Sequence, residues 1–217
     1  MGVAATVTYN FAVSNQGWTA AVESGSTSNP FTWGTPSDDT VNAWYTDGVA
    51  SSSIKTLTSP EMEVASDGSV TITIEHRYHF EVFTLGGGQL FMDGGQVRYR
   101  INGGSWTPVA DGQFSQNGYT GWVLSLFSSG WSGTSSGYST QLYVSSVATL
   151  SGLTAGDTLE LQLRAGWDSS IVWTAPNWAI GEVSVSNVVP EPGETAGYCG
   201  LALLVWSVFR RRRGGQS

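Results

Sequence analysis

Residues 69–83, SVTITIEHRYHFEVF, alternate between apolar and polar positions along their whole length. Val70, Ile72, Ile74, His76, Tyr78, Phe80 and Val82 fall on one face, and Thr71, Thr73, Glu75, Arg77, His79 and Glu81 on the other. A period of two predicts a half-buried β-strand. The same alternation recurs over 96–101 and 157–164, where Leu159, Leu161 and Leu163 point inward. It recurs again over 178–185, with a break near Gly181. Shorter strands are predicted at 4–11, 54–58, 121–127 and 140–147. Between them stand turn signals such as Ser66-Asp67-Gly68, Gly86-Gly87-Gly88, Asp93-Gly94-Gly95 and Asn102-Gly103-Gly104. Residues 24–53 and 84–95 read as long loops, which on a rigid scaffold are places for binding.

No 3.6-residue periodicity is sustained before residue 195, so the predicted class is all-β. Many short strands with regular turns predict a jelly-roll β-sandwich over residues 1–188, followed by one short C-terminal hydrophobic helix. The composition agrees. Aromatics are 12% of the 217 residues and charged residues only 12%, which favours pleated sheets over exposed helices.

At Val189 the pattern changes. Pro190, Glu191 and Pro192 interrupt regular structure. Residues 196–209 then form an uncharged, mostly apolar run of 14, and Arg210, Arg211, Arg212 and Arg213 follow directly. As a helix the run spans roughly 21 Å, short against roughly 30 Å of hydrocarbon. The arginines can snorkel to the interface and would set the basic end in the cytoplasm. Residues 189–217 are therefore expected to be a membrane-directed tail with the domain outside. Cys199, the only cysteine, sits in that run and reads as a small apolar residue, with lipidation as the other reading. No disulfide can form within the chain. MGVAATVTYNF has neither a basic n-region nor an apolar h-region, so no signal peptide is read there.

Residues 1–189 carry five basic against fifteen acidic side chains, a net of about −10. That surface repels phosphate backbones and excludes nucleic acid as a partner, while admitting cations.

Pro-Glu-Pro, apolar helix and arginine cluster, in that order, resemble the PEP-CTERM sorting signal of bacterial envelope proteins. The resemblance implies that Pro190, Glu191 and Pro192 are the recognition motif and Arg210–Arg213 the stop. It also implies processing by exosortase, a membrane transpeptidase, release to the cell surface or exterior, and ties to extracellular polysaccharide. Upstream, Gln16-Gly17-Trp18-Thr19, Leu57-Thr58-Ser59-Pro60, residues 76–81 (HRYHFE), residues 93–99 (DGGQVRY) and residues 132–139 (SGTSSGYS) occur in order. Together they are similar to the MAM-like, concanavalin-type jelly-roll modules beside immune-inhibitor-type metallopeptidases. Such modules adhere, target or contact other proteins. Where that family carries an acidic residue that helps bind calcium, Trp178-Ala179-Ile180-Gly181-Glu182 has glycine at the first acidic position.

Catalytic motifs are missing. HExxH and GxSxG do not occur. His76 and His79 are the only histidines, and three residues apart on a strand they face opposite ways. His76, on the apolar face, is expected to be a hydrogen-bonded core residue. The chain is thus expected not to be an enzyme. The expected role is an exported binding or adhesion module, with a glycan-directed hydrolase or a purely structural matrix component as alternatives. For calcium, the hard-oxygen candidates are Asp38, Asp39, Asp47, Asp93 and Glu182, each of which is equally a turn or surface carboxylate. For stacking on sugars the candidates are Trp33, Trp44 and Trp173, against a reading as core or loop anchors.

Overall fold

The computed structural model describes residues 5–25, 30–48, 50–168, 171 and 173–190. Its strands are β1 (Ala5–Asn10), β2 (Thr19–Gly25), β3 (Thr32–Gly34), β4 (Ala43–Thr46), β5 (Ser53–Thr58) and β6 (Met62–Val64). There follow β7 (Gly68–Tyr78), β8 (Val82–Leu85), β9 (Gly88–Phe91), β10 (Gly94–Ile101), β11 (Thr107–Pro108) and β12 (Phe114–Gln116). The last are β13 (Gly121–Val123), β14 (Ser128–Gly130), β15 (Val144–Leu153), β16 (Thr158–Trp167) and β17 (Trp178–Pro190).

The domain is an all-β jelly-roll sandwich. One layer runs β12-β15-β7-β17, with β1 and β4 sharing the far edge of β17 and β3 beyond β4. The other runs β11-β10-β16-β5-β2. At one end β6 pairs both β16 and β17, so the layers form a single hydrogen-bonded sheet folded over at that seam. Successive long strands lie in opposite layers: β1 to β2, β7 to β10, β15 to β16, β16 to β17. Each period-two strand therefore turns its apolar face toward the other layer.

The alternation read from sequence is the alternation of burial. Val70, Ile72, Ile74 and His76 of β7 are buried, as are Leu159, Leu161 and Leu163 of β16. Each buried aliphatic side chain of this size contributes about 1.5–3 kcal/mol. Aromatics fill much of the core. Trp131 and Trp178 have ring centroids 5.9 Å apart, and Phe80 packs near both Trp167 and Trp178. His76 belongs to this core as expected. It accepts a hydrogen bond at Nδ1 from Trp178 Nε1 (2.9 Å), which leaves the proton on Nε2 for Ser146 Oγ (2.8 Å). Ser146 Oγ in turn donates to the Asn117 carbonyl (2.6 Å). Burial drives the imidazole pKa down to about 3, so it stays neutral.

Several boundaries differ from the sequence reading. The strand expected over 69–83 stops at Tyr78. The chain then leaves the sheet with Phe80 still buried in the core, and Val82 begins a separate four-stranded sheet ordered β14-β13-β9-β8. Residues 84–95 are not a loop but carry the β8–β9 hairpin, whose turn is Gly86-Gly87, both at positive φ as a two-residue hairpin requires. Likewise 24–53 contains β3 and β4, three and four residues long, too short to show a period. The strand expected at 140–147 begins at Val144 and runs on to Leu153, while that at 121–127 ends at Val123. β17 continues through Pro190, two residues past the expected boundary. Glu191, Pro192, residues 196–209 and Arg210–Arg213 lie outside the described residues. Among the described residues no helix is long and apolar enough to cross a membrane.

Candidate functional site

The outward face of the first layer is polar. Its registers bring Thr6 beside Ser186, Thr8 beside Ser184 beside Thr73, and Asn10 beside Glu182 beside Glu75 beside Ser145. One row further on, Tyr143 directly precedes β15 and Arg77 is the last but one residue of β7, and there two connecting segments cover the sheet.

Arg77 fixes that cover. Its side chain is fully buried, and its two terminal nitrogens donate to Asp38 Oδ2 (2.8 Å) and Oδ1 (2.7 Å), with Asp39 Oδ2 at 3.4 Å. The guanidinium lies between the rings of Tyr138 (5.3 Å) and Tyr143 (5.7 Å). Burial lowers its pKa, but the hydrogen bonds and charge of Asp38 and Tyr143 together outweigh that and hold it above its ordinary value. A buried, forked ion pair of this kind specifies one arrangement of the β3–β4 loop on the sheet.

Beside the ion pair opens a cleft of about 370 Å³. Its polar walls are Asn10 at the end of β1, Asp39 and Asn42 from the β3–β4 loop, Gln141 and Tyr143 before β15, and Glu182 of β17. Asn10 Nδ2 donates to Glu182 Oε2 (3.2 Å), Thr35 Oγ1 donates to Asn42 Oδ1 (2.7 Å), and Tyr143 OH donates to Asp39 Oδ2 (3.4 Å). Gly181 forms the floor at the register shift between Ile180 and Glu182, where a Cβ would stand 3.1 Å from Tyr143 Cε1. Glycine at this position leaves room for the tyrosine ring to lie on the strand. Amides, carboxylates and one aromatic face around a small cleft can hold a ligand rich in hydroxyls.

The five calcium candidates do not assemble into one site. Asp38 is taken by Arg77, Asp39 and Glu182 share the cleft, and the Asp47 carbonyl accepts from Lys55 Nζ (2.5 Å). Asp93 instead joins Glu81 and Asp168, neither among the candidates, with carboxylate oxygens within 4.8 Å of one another. Asp93 is buried, which raises its pKa to about 7, and its Oδ1 accepts from the Asp168 amide (2.9 Å). These three carboxylates are hard-oxygen donors of the kind calcium takes. In the sequence Glu81 reads as part of the solvated outer face of a continuous strand and not as a calcium ligand.

The tryptophan candidates also separate. Trp44 is a core residue, with Nε1 donating to the Asn15 carbonyl (3.3 Å), because its position on β4 faces the other layer. Trp33 is 37% exposed and donates to the Phe11 carbonyl (2.9 Å), an anchor with one free face. Trp173 packs on His79 (4.6 Å), which stacks on Tyr138 (4.8 Å).

The small sheet carries a different surface. Phe83 pairs with Leu90 across β8 and β9, and the β9–β13 register sets Trp122 next to Leu90. This outward row is exposed, and Leu85 and Phe127 extend it. Residues 82–91 and 121–130 contain no charged side chain.

No family model and no curated protein matches the chain. Among solved structures it is similar to the C-terminal CBM6 of LamC, a laminarinase from Zobellia galactanivorans. Identity there is 14% and the TM-score 0.42, over 84% of this chain and 99% of that one. CBM35 of Abf62 from Cellvibrio japonicus is 15% identical with a TM-score of 0.33, over 77% of this chain and 91% of that one. An exo-β-1,3-galactanase from Phanerochaete chrysosporium, solved with galactose, is 13% identical with a TM-score of 0.37. This chain covers 30% of it with 85% of its own length.

Proposed function

We propose that this chain is a non-catalytic glycan-binding module of the bacterial envelope or its extracellular matrix. The cleft at Tyr143 carries the reading. Its lining offers amide and carboxylate groups from four separate chain segments around one ring, and the Arg77–Asp38 pair pre-organises the loop that closes it. Vicinal hydroxyls of a pyranose suit paired amide and carboxylate acceptors and donors, and the apolar face of the sugar suits the tyrosine ring. On a glycan array, the full-length chain should bind a defined set of saccharides. Tyr143→Ala should weaken that binding about tenfold, a loss of roughly 1.4 kcal/mol. An array with no positive saccharide sinks the reading.

Delivery belongs to the same proposal. Residues 189–217 act as a sorting tail of the PEP-CTERM kind, with Pro190, Glu191 and Pro192 read by an exosortase-type transpeptidase and Arg210–Arg213 as the stop. A MAM-like module would then be held outside the inner membrane and released to the surface. Fractionation with intact-mass measurement of the native protein tests this. The expected product lacks the residues after about Pro192; a full-length cytosolic protein overturns it. Calcium enters as a bracing ion at Glu81, Asp93 and Asp168. The expected result is a rise in melting temperature in millimolar calcium that Asp93→Asn abolishes.

A further inference from the structure

We infer that the cleft selects ammonium-bearing sugars, of the de-N-acetylated hexosamine class, over neutral and anionic ones. The inference rests on the reading of the cleft as a glycan site and adds the charge of its ligand.

The described residues contain five basic side chains, and every one is committed elsewhere. Arg98 and Arg164 pair with Glu23, and Arg100 pairs with Glu160. Lys55 is buried against the Asp47 carbonyl and the Trp167 ring. Arg77 spends both terminal nitrogens on Asp38, and its contact with Asp39 is the longer one. Glu182 therefore faces the cleft with Asn10 as its hydrogen-bond donor and, among the described residues, no cation within 4.0 Å.

A second feature points the same way. Glu182 stands directly opposite Glu75 across β17 and β7. Like charges in directly opposed positions destabilise a sheet, and Arg77, the basic residue on the same face of β7, is engaged by Asp38 and Asp39 rather than by this pair. An arrangement that costs stability and keeps an uncompensated negative potential at the mouth of a cleft is the kind retained for a ligand. With Asp39 on the other wall, that potential falls on whatever occupies the cleft. Uronates and sulfated sugars are repelled. A sugar ammonium placed between Asp39 and Glu182 is attracted.

The test is calorimetric titration of the full-length chain with a glucosamine hexamer, its N-acetylated counterpart and a glucose hexamer, in mildly acidic, low-salt buffer. The glucosamine oligomer should bind about tenfold more tightly than the other two, and the preference should shrink in high salt as screening shortens the reach of the carboxylates. Glu75→Gln lies outside the cleft lining. It should reduce the preference and leave glucose-oligomer affinity unchanged. Glu182→Gln should remove most of the preference, while its melting temperature, freed of the opposed charge, should not fall. Equal affinity for all three oligomers overturns the inference and leaves the glycan reading standing. Binding of none of them overturns both. A preference that survives Glu182→Gln overturns the assignment of the ammonium to this cleft.

Discussion

Gly181 of β17 lies directly beneath the ring of Tyr143, so close that a Cβ there would stand 3.1 Å from Tyr143 Cε1 and 3.3 Å from Cδ1. The space beside the strand, more than its backbone conformation, demands glycine at this position. Gly181→Ala should lift the ring off the cleft floor by a few tenths of an ångström. We expect saccharide affinity to fall several-fold, with a change in melting temperature of no more than a few degrees, since the ring can tilt toward solvent. Calorimetry on the variant and its parent checks both. An unchanged affinity would show that the ring's seat is irrelevant to binding.

The Arg77–Asp38 pair is asymmetric in burial, with side-chain exposures of 0% and 29%. The two halves of the pair should therefore respond differently to removal. Asp38→Ala strands a buried guanidinium with only the longer Asp39 contact and should cost about 3–5 kcal/mol. Arg77→Met fills the volume with an apolar chain and leaves Asp38 free to rehydrate, so its cost should be about 1–2 kcal/mol. Urea unfolding midpoints would order the two variants. The reverse order would mean that the ion pair does not hold the loop as argued.

His76 supplies the acid limb of stability. Its native pKa lies near 3, against 6.5 for an exposed imidazole. Between those values the unfolded chain binds a proton that the native chain refuses. Stability is thus complete above about pH 6.5 and falls as the pH drops toward 3, by an amount on the order of 4 kcal/mol. His76→Gln keeps a donor and an acceptor for Ser146 and Trp178 but does not titrate. Its melting temperature should vary less between pH 7 and 4 than the parent's, in a scan of thermal unfolding against pH.

How far the sequence foretells this molecule depends on how far apart the cooperating residues lie. β7, β10 and β16 are legible because one strand's pattern records one face. β8 and β9 are not, because Phe83, Leu85 and Leu90 point outward while Val82 and Phe91 point inward, and apolar side chains on both faces erase the period. The cleft is less legible still. Asn10, Asn42, Gln141 and Tyr143 come from segments that read as ordinary turns or strand ends, and only registers spanning the chain bring them together. Asp39 and Glu182 were candidates by residue type, as calcium ligands, but type alone could not separate them from Asp47 or pair Asp93 with Glu81 and Asp168.

The outward row of the small sheet yields a final expectation. Phe83 and Trp122 are 50% and 59% exposed and flank Leu90 on a face without charge. Their inward neighbours Phe91 and Val123, packed with Ile54 and Leu126, hold the sheet to the sandwich. Removing the outward rings should therefore leave the fold intact. The double variant Phe83→Ser, Trp122→Ser should change stability by no more than about 1 kcal/mol. The same substitutions break up a contiguous apolar patch, the kind of surface that drives association. Sedimentation velocity at high protein concentration should show less self-association in the variant than in the parent. A large loss of stability would mean instead that these rings brace the hairpin against the sandwich, and that the row is structural.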